Sequence, residues 1–321
     1  MIGRGLQAAV LLMALAASAG VLRAQIKDAP MTDGARVTYH TAQVDGLKIF
    51  YREAGPKGAP AVVLLHGFPS SSHMFRELIP RLSDKYHVLA PDYPGYGYSD
   101  APSPGRYAYT FEHLADTVDH FLDQQNIMKY SVYIQDYGSP VGFRLATRHP
   151  ERIQAIITQN GNAYDEGLSP FWAEFLYPYW KDPNPTNEAK VRQLLTLDAT
   201  KLQYLRGFRT PEHVSPDSYQ FDQAALDRPG NDKIQLALFY DYRNNPPLYP
   251  VWHKYLRDKK PAVLVVWGKN DPVFAQAGAE AFLKDTPGAE LHLLDTGHFA
   301  LEEDGAEIAQ LIRAFLGKNV H

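Results

Sequence analysis

The stretch from Tyr130 to Gly138 constrains the fold of this chain more than any other. A β-rich apolar run breaks off at Asp136 and Gly138, and a helical pattern begins at Pro140. A strand that turns sharply into a helix displays one side chain beyond the carboxyl end of the strand, which is the edge where open parallel sheets bind ligands. Gly138 keeps the turn free of a Cβ. The stretch therefore predicts a parallel sheet with Asp136 as a nucleophile at its edge.

An acid at this position also has a structural interpretation. Asp136 precedes a helical pattern, and a capping carboxylate accepts backbone N–H groups of the first helical turn. We favour the catalytic role because of the turn that flanks Asp136 and because other polar motifs recur along the chain.

Strand patterns alternate with helical patterns through most of the sequence. Residues 37–44 and 47–54 predict a hairpin that turns at Asp45-Gly46. Residues 61–65 form a continuous aliphatic run, which is typical of a strand buried on both faces of a parallel sheet. Further strands are predicted at 87–90, 131–135, 153–159, 262–267 and 290–294, with helical patterns near 75–83, 111–125, 275–284 and 306–316. This alternation predicts an α/β fold with a mostly parallel, doubly wound sheet.

Residues 166–259 have a different composition. They are rich in Tyr, Trp, Pro and Asn, show helical periodicity at 191–197 and 234–242, and lack aliphatic strand runs. We expect a helical cap here, inserted between a first core segment, 25–165, and a second, 260–321.

The N-terminus has the layout of a secretory signal peptide. Arg4 precedes an apolar run over 6–21, with small residues at 17–19 and at Ala24. A membrane-spanning helix needs about 20 apolar residues, so a retained anchor is the less favoured alternative. We expect a signal peptide over 1–24, cleaved after Ala19 or Ala24, and a periplasmic or secreted bacterial protein with no stable membrane anchor.

Composition narrows the classes of function. The formal net charge of −4 gives no reason to expect a nucleic-acid partner. The absence of cysteine excludes disulfides and thiolate chemistry, and the 12 histidines show no prominent metal-ligand spacing. We therefore expect neither a metal nor a cofactor.

Five motifs together resemble those of a known fold. They are His66-Gly67-Phe68-Pro69, the loop 92–99, Gln135-Asp136-Tyr137-Gly138, the segment 268–272 and Gly297-His298-Phe299. Their order and spacing resemble the α/β-hydrolase fold, and more narrowly its epoxide hydrolase and haloalkane dehalogenase branch, in which the nucleophile is an aspartate.

The resemblance implies a set of catalytic roles. Asp136 would attack a saturated carbon of a small apolar substrate and form an alkyl ester, because a carboxylate is already ionised near neutral pH. His298, held by Asp271, would activate the water that hydrolyses the ester. The backbone N–H groups of Phe68 and Tyr137 would stabilise the oxyanion.

The position of the triad acid has an alternative. Some relatives place this acid after the preceding strand, where this chain has Asn160, Asn162 and Asp165. Asp271 itself precedes a proline and could simply initiate a turn.

Three residues depart from the pattern of the resembled family. Ile134 stands where the turn before the nucleophile usually has a small residue. Tyr137 stands where dehalogenases usually carry Trp, whose indole N–H helps to hold the departing halide, and Phe68 stands where they tend to carry Asn or Glu. Both halide donors are therefore missing from their usual places.

An epoxide instead needs an acid for its ring oxygen, and phenols are neutral donors at pH 7. Tyr242-Arg243-Asn244 resembles the Tyr-Arg-Asn motif of epoxide hydrolases, which implies Tyr242 as one lid donor. The segment 176–183 falls in the region of the other lid tyrosine of that family, which implies Tyr177, with Tyr179 as the alternative. We expect His66, Tyr179 and Trp180 to line the substrate pocket.

The sequence thus favours an epoxide hydrolase. A haloalkane dehalogenase is the main alternative, since Trp172, Trp180 or Trp252 could supply a lid indole for a halide. A non-catalytic binding protein on the same fold is the third.

Overall fold

Eight strands form one sheet in the computed structural model, which describes residues 36–320. The predicted signal peptide lies outside the described residues. The strands are β1 Thr38–Val44, β2 Leu47–Ala54, β3 Ala61–Leu65, β4 His87–Pro91, β5 Tyr130–Ile134, β6 Ile153–Gln159, β7 Ala262–Gly268 and β8 Glu290–Leu294. Their order is β1-β2-β4-β3-β5-β6-β7-β8, antiparallel from β1 to β4 and parallel from β4 to β8. The predicted mostly parallel sheet is confirmed.

The first hairpin turns where the sequence predicts. Asp45 and Gly46 both have positive φ, of 50° and 80°. Two such residues in succession match the right-handed twist of the flanking strands. The pairing of Val44 with Leu47 fixes the register of the hairpin.

Helices cover both faces of the sheet and fill the cap. They are α1 Leu78–Leu82, α2 Phe111–Gln124, α3 Gly138–Arg148, α4 Tyr177–Lys181, α5 Pro185–Arg192, α6 Leu197–Leu205, α7 Pro216–Leu226, α8 Asn231–Asp241, α9 Tyr249–Lys259, α10 Gln276–Asp285 and α11 Leu301–Asn319. Within the described range, no helix is both long and apolar enough to cross a bilayer.

The sheet is buried on both sides because successive strand residues point to opposite faces. In β3, Val63 and Leu65 join one hydrophobic cluster with residues of α2 and α3. Val62 and Leu64 join the opposite cluster with residues of α1 and α11. This two-sided burial explains the unbroken aliphatic run of β3.

The segment between β6 and β7 consists of helices and turns. A π-helical turn, Trp172–Leu176, precedes α4. The helix predicted over 191–197 is interrupted: α5 ends at Arg192, a 3₁₀ turn spans Gln193–Leu195, and Thr196 caps α6 by accepting the N–H of Ala199. Threonine at a cap competes with the continuing helix, and this explains the break.

The last helix begins five residues earlier than its apolar periodicity predicts. Its first acidic residues contact the cap. Glu302 accepts the hydroxyl of Ser218 in the cap at 2.9 Å and also pairs with Arg76 of the core at 2.7 Å. Glu303 accepts the backbone N–H of Thr210 in the cap, and Asp304 pairs with the cap residue Arg209. These three carboxylates, which we call the acidic latch, connect the start of α11 to the cap.

Candidate active site

Asp136 occupies a strained turn between β5 and α3. Its φ of 48° lies in the left-handed region, which is uncommon for a residue with a side chain. A Cβ on Gly138 would lie 2.3 Å from the carbonyl oxygen of Leu65, so only glycine fits at that place. The turn therefore places Asp136 at the carboxyl end of β5, as the sequence predicts.

The turn accommodates Ile134 through a second glycine. A Cβ on Gly142 would lie 2.5 Å from Cγ2 of Ile134. Gly142 in α3 thus provides the space for the Ile134 side chain, at a position where a small residue is usual.

One oxygen of Asp136 is held by two backbone donors. Oδ1 accepts the N–H of Phe68 at 2.8 Å and the N–H of Tyr137 at 2.6 Å. A Cβ on Gly67 would lie 2.2 Å from Cβ of Asp136, so glycine is required for this close approach. The N-cap residue of α3 is Tyr137 rather than Asp136, and no side chain caps this helix. Oδ2 receives neither donor and lies 3.8 Å from Nε2 of His298.

His298 is oriented by Asp271. Its Nδ1 lies 2.8 Å from Oδ2 of Asp271, and Asp271 also accepts the N–H of Val273 and the side-chain amide of Asn160. The structure thus brings Asp136, His298 and Asp271 together, with His298 between the two carboxylates. Asn160, at the alternative acid position, supports Asp271 instead.

The other two residues of the alternative acid position lie elsewhere. Asn162 donates its amide to the carbonyl of Tyr164, and Asp165 begins an exposed 3₁₀ turn. Among residues 36–320, no group of three His, Cys, Asp or Glu side chains is arranged to hold a metal.

The pKa values of both reactive groups are raised, for different reasons. Burial raises the pKa of Asp136 to about 6, against the opposing effects of His298 and of the two N–H donors. Burial disfavours the imidazolium of His298, but the charges of Asp271 and Asp136 together outweigh this effect and raise the pKa of His298. Perturbed carboxylates in a cleft beside a histidine are typical of catalytic sites.

A narrow cavity of about 30 Å³ lies over Asp136. Its walls are mostly apolar, with the core and the cap both contributing. The lining residues are Phe68, Asp136, Tyr137, Phe171, Trp172, Leu176, Leu194, Gln203, Phe239, Tyr242 and Val273. An apolar cavity with one reactive carboxylate suits a small apolar substrate.

A surface cleft of about 450 Å³ adjoins this cavity. Four residues line both spaces, namely Phe171, Leu194, Gln203 and Val273. We call these four the shared wall. It separates the cavity from the outer cleft, so displacement of these side chains opens a route to Asp136.

Of the predicted lid tyrosines, the structure brings only Tyr242 to the cavity. Tyr242 is 1% exposed and its hydroxyl lies beside that of Tyr249, without a well-formed hydrogen bond. Tyr177 is 41% exposed and packs on Trp180, outside the cavity lining. The π-helical turn before α4 turns Trp172 and Leu176 inward, which leaves Tyr177 on the outside.

The remaining predicted pocket residues also lie outside the lining. Tyr179 is buried against Tyr240, and Trp180 stacks on Tyr242 from outside the cavity. His66 accepts the N–H of Tyr93 at 3.1 Å and shapes its own loop. Burial lowers the pKa of His66 to about 3, so its imidazole is neutral.

The indole N–H groups near the site already donate hydrogen bonds to backbone carbonyl groups. Trp172 donates to the carbonyl of Val273 at 2.9 Å, and Trp180 donates to the carbonyl of Phe239 at 2.7 Å. Trp252 stacks on Phe143, outside the cavity lining.

Sequence reasoning missed three contributors to the site. Phe239 lines the cavity, Asn160 binds Asp271, and Gln135 places its side-chain nitrogen 2.9 Å from Nε2 of His298. The position of Gln135 directly before the nucleophile was a usable signal. The role of Asn160 depends on its left-handed backbone, with φ of 49°, which no pattern in the sequence reveals.

Comparison with known proteins agrees with this geometry. Residues 60–305 match the family model described as alpha/beta hydrolase fold. The chain is 47% identical over 286 residues to the uncharacterized hydrolase YNR064C of Saccharomyces cerevisiae, covering 88% of this chain and 98% of that one. It is 30% identical over 285 residues to a haloalkane dehalogenase of Mycobacterium marinum, covering 83% and 88% respectively.

Solved structures show the same fold. The epoxide hydrolase CorEH aligns with a TM-score of 0.72 at 20% identity, over 88% of this chain and 99% of that one. The haloalkane dehalogenase DbeA from Bradyrhizobium elkani aligns with a TM-score of 0.71 at 23% identity, over 88% and 98%. The chain therefore belongs to the α/β-hydrolase family and is a hydrolase.

Proposed function

We propose that this hydrolase opens small apolar epoxides to vicinal diols through a covalent ester on Asp136. The observation that carries the proposal is the chemistry of the cavity lining. It combines the Asp136 carboxylate with a buried phenol, Tyr242, while the indole of Trp172 donates to a backbone carbonyl. A phenol can protonate an opening epoxide ring, whereas a halide leaves without a proton.

In the first step, Oδ2 of Asp136 attacks a ring carbon, because Oδ1 is held by Phe68 and Tyr137. The carbon–oxygen bond of the ring breaks, and its electron pair goes to the ring oxygen. That oxygen takes the hydroxyl proton of Tyr242. The products are a hydroxyalkyl ester on Asp136 and a tyrosinate.

In the second step, His298 takes a proton from water, and the resulting hydroxide adds to Cγ of Asp136. The two backbone donors stabilise the oxyanion. The tetrahedral intermediate expels the alkoxide, which takes the proton of the new Asp136 carboxyl group and leaves as the diol. The proton on His298 returns through solvent to the tyrosinate, so epoxide and water give diol.

Ester formation also prepares the base. In the resting enzyme the Asp136 charge contributes to raising the pKa of His298. The ester is neutral, so this contribution disappears once the substrate is bound covalently. The imidazole then holds its proton less tightly and is better able to accept one from water.

A haloalkane dehalogenase is the second candidate, because the Mycobacterium marinum relative carries that name. Incubation with styrene oxide and with 1-bromobutane, with diol and bromide followed separately, distinguishes the two. Diol from styrene oxide supports the proposal, and bromide without diol contradicts it. Tight ligand binding with neither product would instead indicate a binding protein.

Export after removal of a signal peptide remains a proposal supported by the apolar run at 6–21. N-terminal sequencing of the protein from the native host tests it. A mature N-terminus at Gly20 or Gln25 is the expected result, and an intact Met1 would contradict it.

A further inference from the structure

Two phenols, rather than one, line the cavity over Asp136. Tyr137 and Tyr242 are 3% and 1% exposed, and neither hydroxyl has a well-formed hydrogen bond among the described residues. Buried hydroxyl groups are normally paired, because desolvation without a partner is costly. Two unpaired hydroxyls in one reactive cavity therefore require an explanation.

The two rings are neighbours that come from opposite sides of the cavity. Tyr137 belongs to the core, directly after the nucleophile, and Tyr242 belongs to the cap. Their ring centroids lie 5.9 Å apart. Phe111 packs edge-on against both rings, at 4.8 Å from Tyr137 and 5.3 Å from Tyr242, and so fixes them as a pair.

The Tyr137 side chain cannot move far from the reacting carboxylate. Its own backbone N–H is bonded to Oδ1 of Asp136, and the neighbouring Phe68 ring lies 6.1 Å from its ring. Burial raises the pKa of both phenols well above the usual value, and the Asp136 charge adds to this effect. Both side chains are therefore neutral O–H donors in the resting enzyme.

We propose that the hydroxyl of Tyr137 is the second donor to the epoxide oxygen, acting with Tyr242 in place of a tyrosine at 177 or 179. This assignment rests on the proposed function. During ring opening, one phenol gives its proton to the ring oxygen as the carbon–oxygen bond breaks, and the other stabilises the same oxygen with a hydrogen bond. The proton balance is the one already given, with either tyrosinate regenerated by the proton from His298.

This arrangement assigns two roles to one residue. The backbone N–H of Tyr137 serves the oxyanion in ester hydrolysis, while its hydroxyl serves the ring oxygen in ester formation. The two roles fall in different half-reactions, so kinetics can separate them.

Tyr130 provides a matched control. Its hydroxyl is also buried and without a partner, and its side chain is 0% exposed, but it lies at the start of β5, outside the cavity lining. If an unpaired buried hydroxyl mattered only for packing, Tyr130→Phe and Tyr137→Phe would behave alike.

The test measures the two half-reactions with styrene oxide by rapid mixing, in the wild type and in Tyr137→Phe, Tyr242→Phe, the double variant and Tyr130→Phe. Ester formation should slow about 10- to 100-fold in each single variant of the pair and at least 1000-fold in the double variant, as expected for lost general-acid catalysis. Tyr130→Phe should stay within about twofold of the wild type.

The ratio of the rate of ester formation to the rate of ester decay distinguishes a proton donor from a packing residue. Loss of the donor slows formation alone, whereas a displaced backbone N–H slows formation and decay together. Melting temperatures check that each variant is folded.

Ester formation at the wild-type rate in Tyr137→Phe, with Tyr242→Phe impaired, would overturn the second donor and leave the proposed function standing. Equal slowing of both half-reactions in Tyr137→Phe would overturn it as well. A wild-type protein that forms no ester from styrene oxide would overturn the proposed function and the second donor with it.

Discussion

The side-chain nitrogen of Gln135 lies 2.9 Å from Nε2 of His298. Because Nδ1 of the imidazole faces Asp271, Nε2 is the acceptor in the neutral ring, and the Gln135 amide donates to it. The side chain of the residue directly before the nucleophile is thus hydrogen-bonded to the atom that would take a proton from water. Water can bond to Nε2 only when the Gln135 amide moves away from it.

Replacing His298 should trap the ester. In His298→Gln, styrene oxide still alkylates Asp136, but no base remains to activate water, so the adduct accumulates. Mass spectrometry of the peptide containing Asp136 should show an increase equal to the mass of one substrate molecule. His253→Gln is the control, since His253 bonds the carbonyl of Ala163 away from the site. A turned-over substrate that leaves no adduct in His298→Gln would argue against covalent catalysis.

The rate of ester formation should fall in acid. Protonation removes the nucleophile, and the pKa of Asp136 is about 6, so single-turnover alkylation should lose half its rate near pH 6. In His298→Gln the midpoint should move to higher pH, because the imidazole normally favours the ionised carboxylate. A flat profile from pH 5 to 8 in both proteins would be inconsistent with this view.

Gly67 should be essential for turnover. In Gly67→Ala, the new Cβ would meet Cβ of Asp136 at 2.2 Å and push away the strand end that carries the Phe68 donor. Loss of one oxyanion donor typically costs about 10²–10³ in turnover. Gly58→Ala is the control, because a Cβ at exposed Gly58 meets nothing within 4 Å. Steady-state diol formation measures both, and comparable rates in the two variants would refute the assignment.

Gly142 should be required for stability. A Cβ there would lie 2.5 Å from Ile134, which is buried, so Gly142→Ala should lower the free energy of unfolding by about 1–3 kcal/mol. The double variant with Ile134→Ala should lose less stability than the sum of the two single variants, since the two side chains compete for one space. Gly317→Ala, at an exposed site in α11, should instead gain about 0.5–1 kcal/mol. Urea unfolding measures all the variants, and a neutral Gly142→Ala would contradict the packing argument.

Asp222 should make the fold less stable as pH rises. It is buried and accepts the hydroxyl of Tyr204, and burial raises its pKa to about 8. The native state therefore keeps a proton that the unfolded chain releases near pH 4, so stability falls between about pH 4 and 8. The free energy of unfolding of the wild type should fall between pH 5 and pH 8. In Asp222→Asn this fall should be smaller by roughly 1–2 kcal/mol. The same pH dependence in both proteins would show that a group other than Asp222 causes the effect.

The sheet was predictable because its signals are local. A continuous aliphatic run predicts β3, and Asp45-Gly46 predicts the turn between β1 and β2. The nucleophile turn was also predictable, since a strand pattern, an acid and a glycine follow one another directly at 130–138.

The cap was less predictable because its orientation depends on irregular backbone. One π-helical turn at Trp172–Leu176 changes which of the following residues face inward, and periodicity cannot register a single inserted residue. Tyr177 was therefore assigned to a cavity that it does not line. The hydroxyl of Tyr137 went unnoticed for a different reason: Tyr137 was considered only for its backbone N–H and as the place of a missing indole.

The acidic latch has a consequence for substrate size. Its three carboxylates begin four residues after His298 and bind Arg209, Thr210 and Arg76. A molecule too bulky for the cavity would have to displace the cap, and through the acidic latch that movement would reach the segment that carries the imidazole. For the proposed reaction, we therefore expect bulky substrates to slow ester hydrolysis as well as entry, so that substrate volume affects both halves of the cycle.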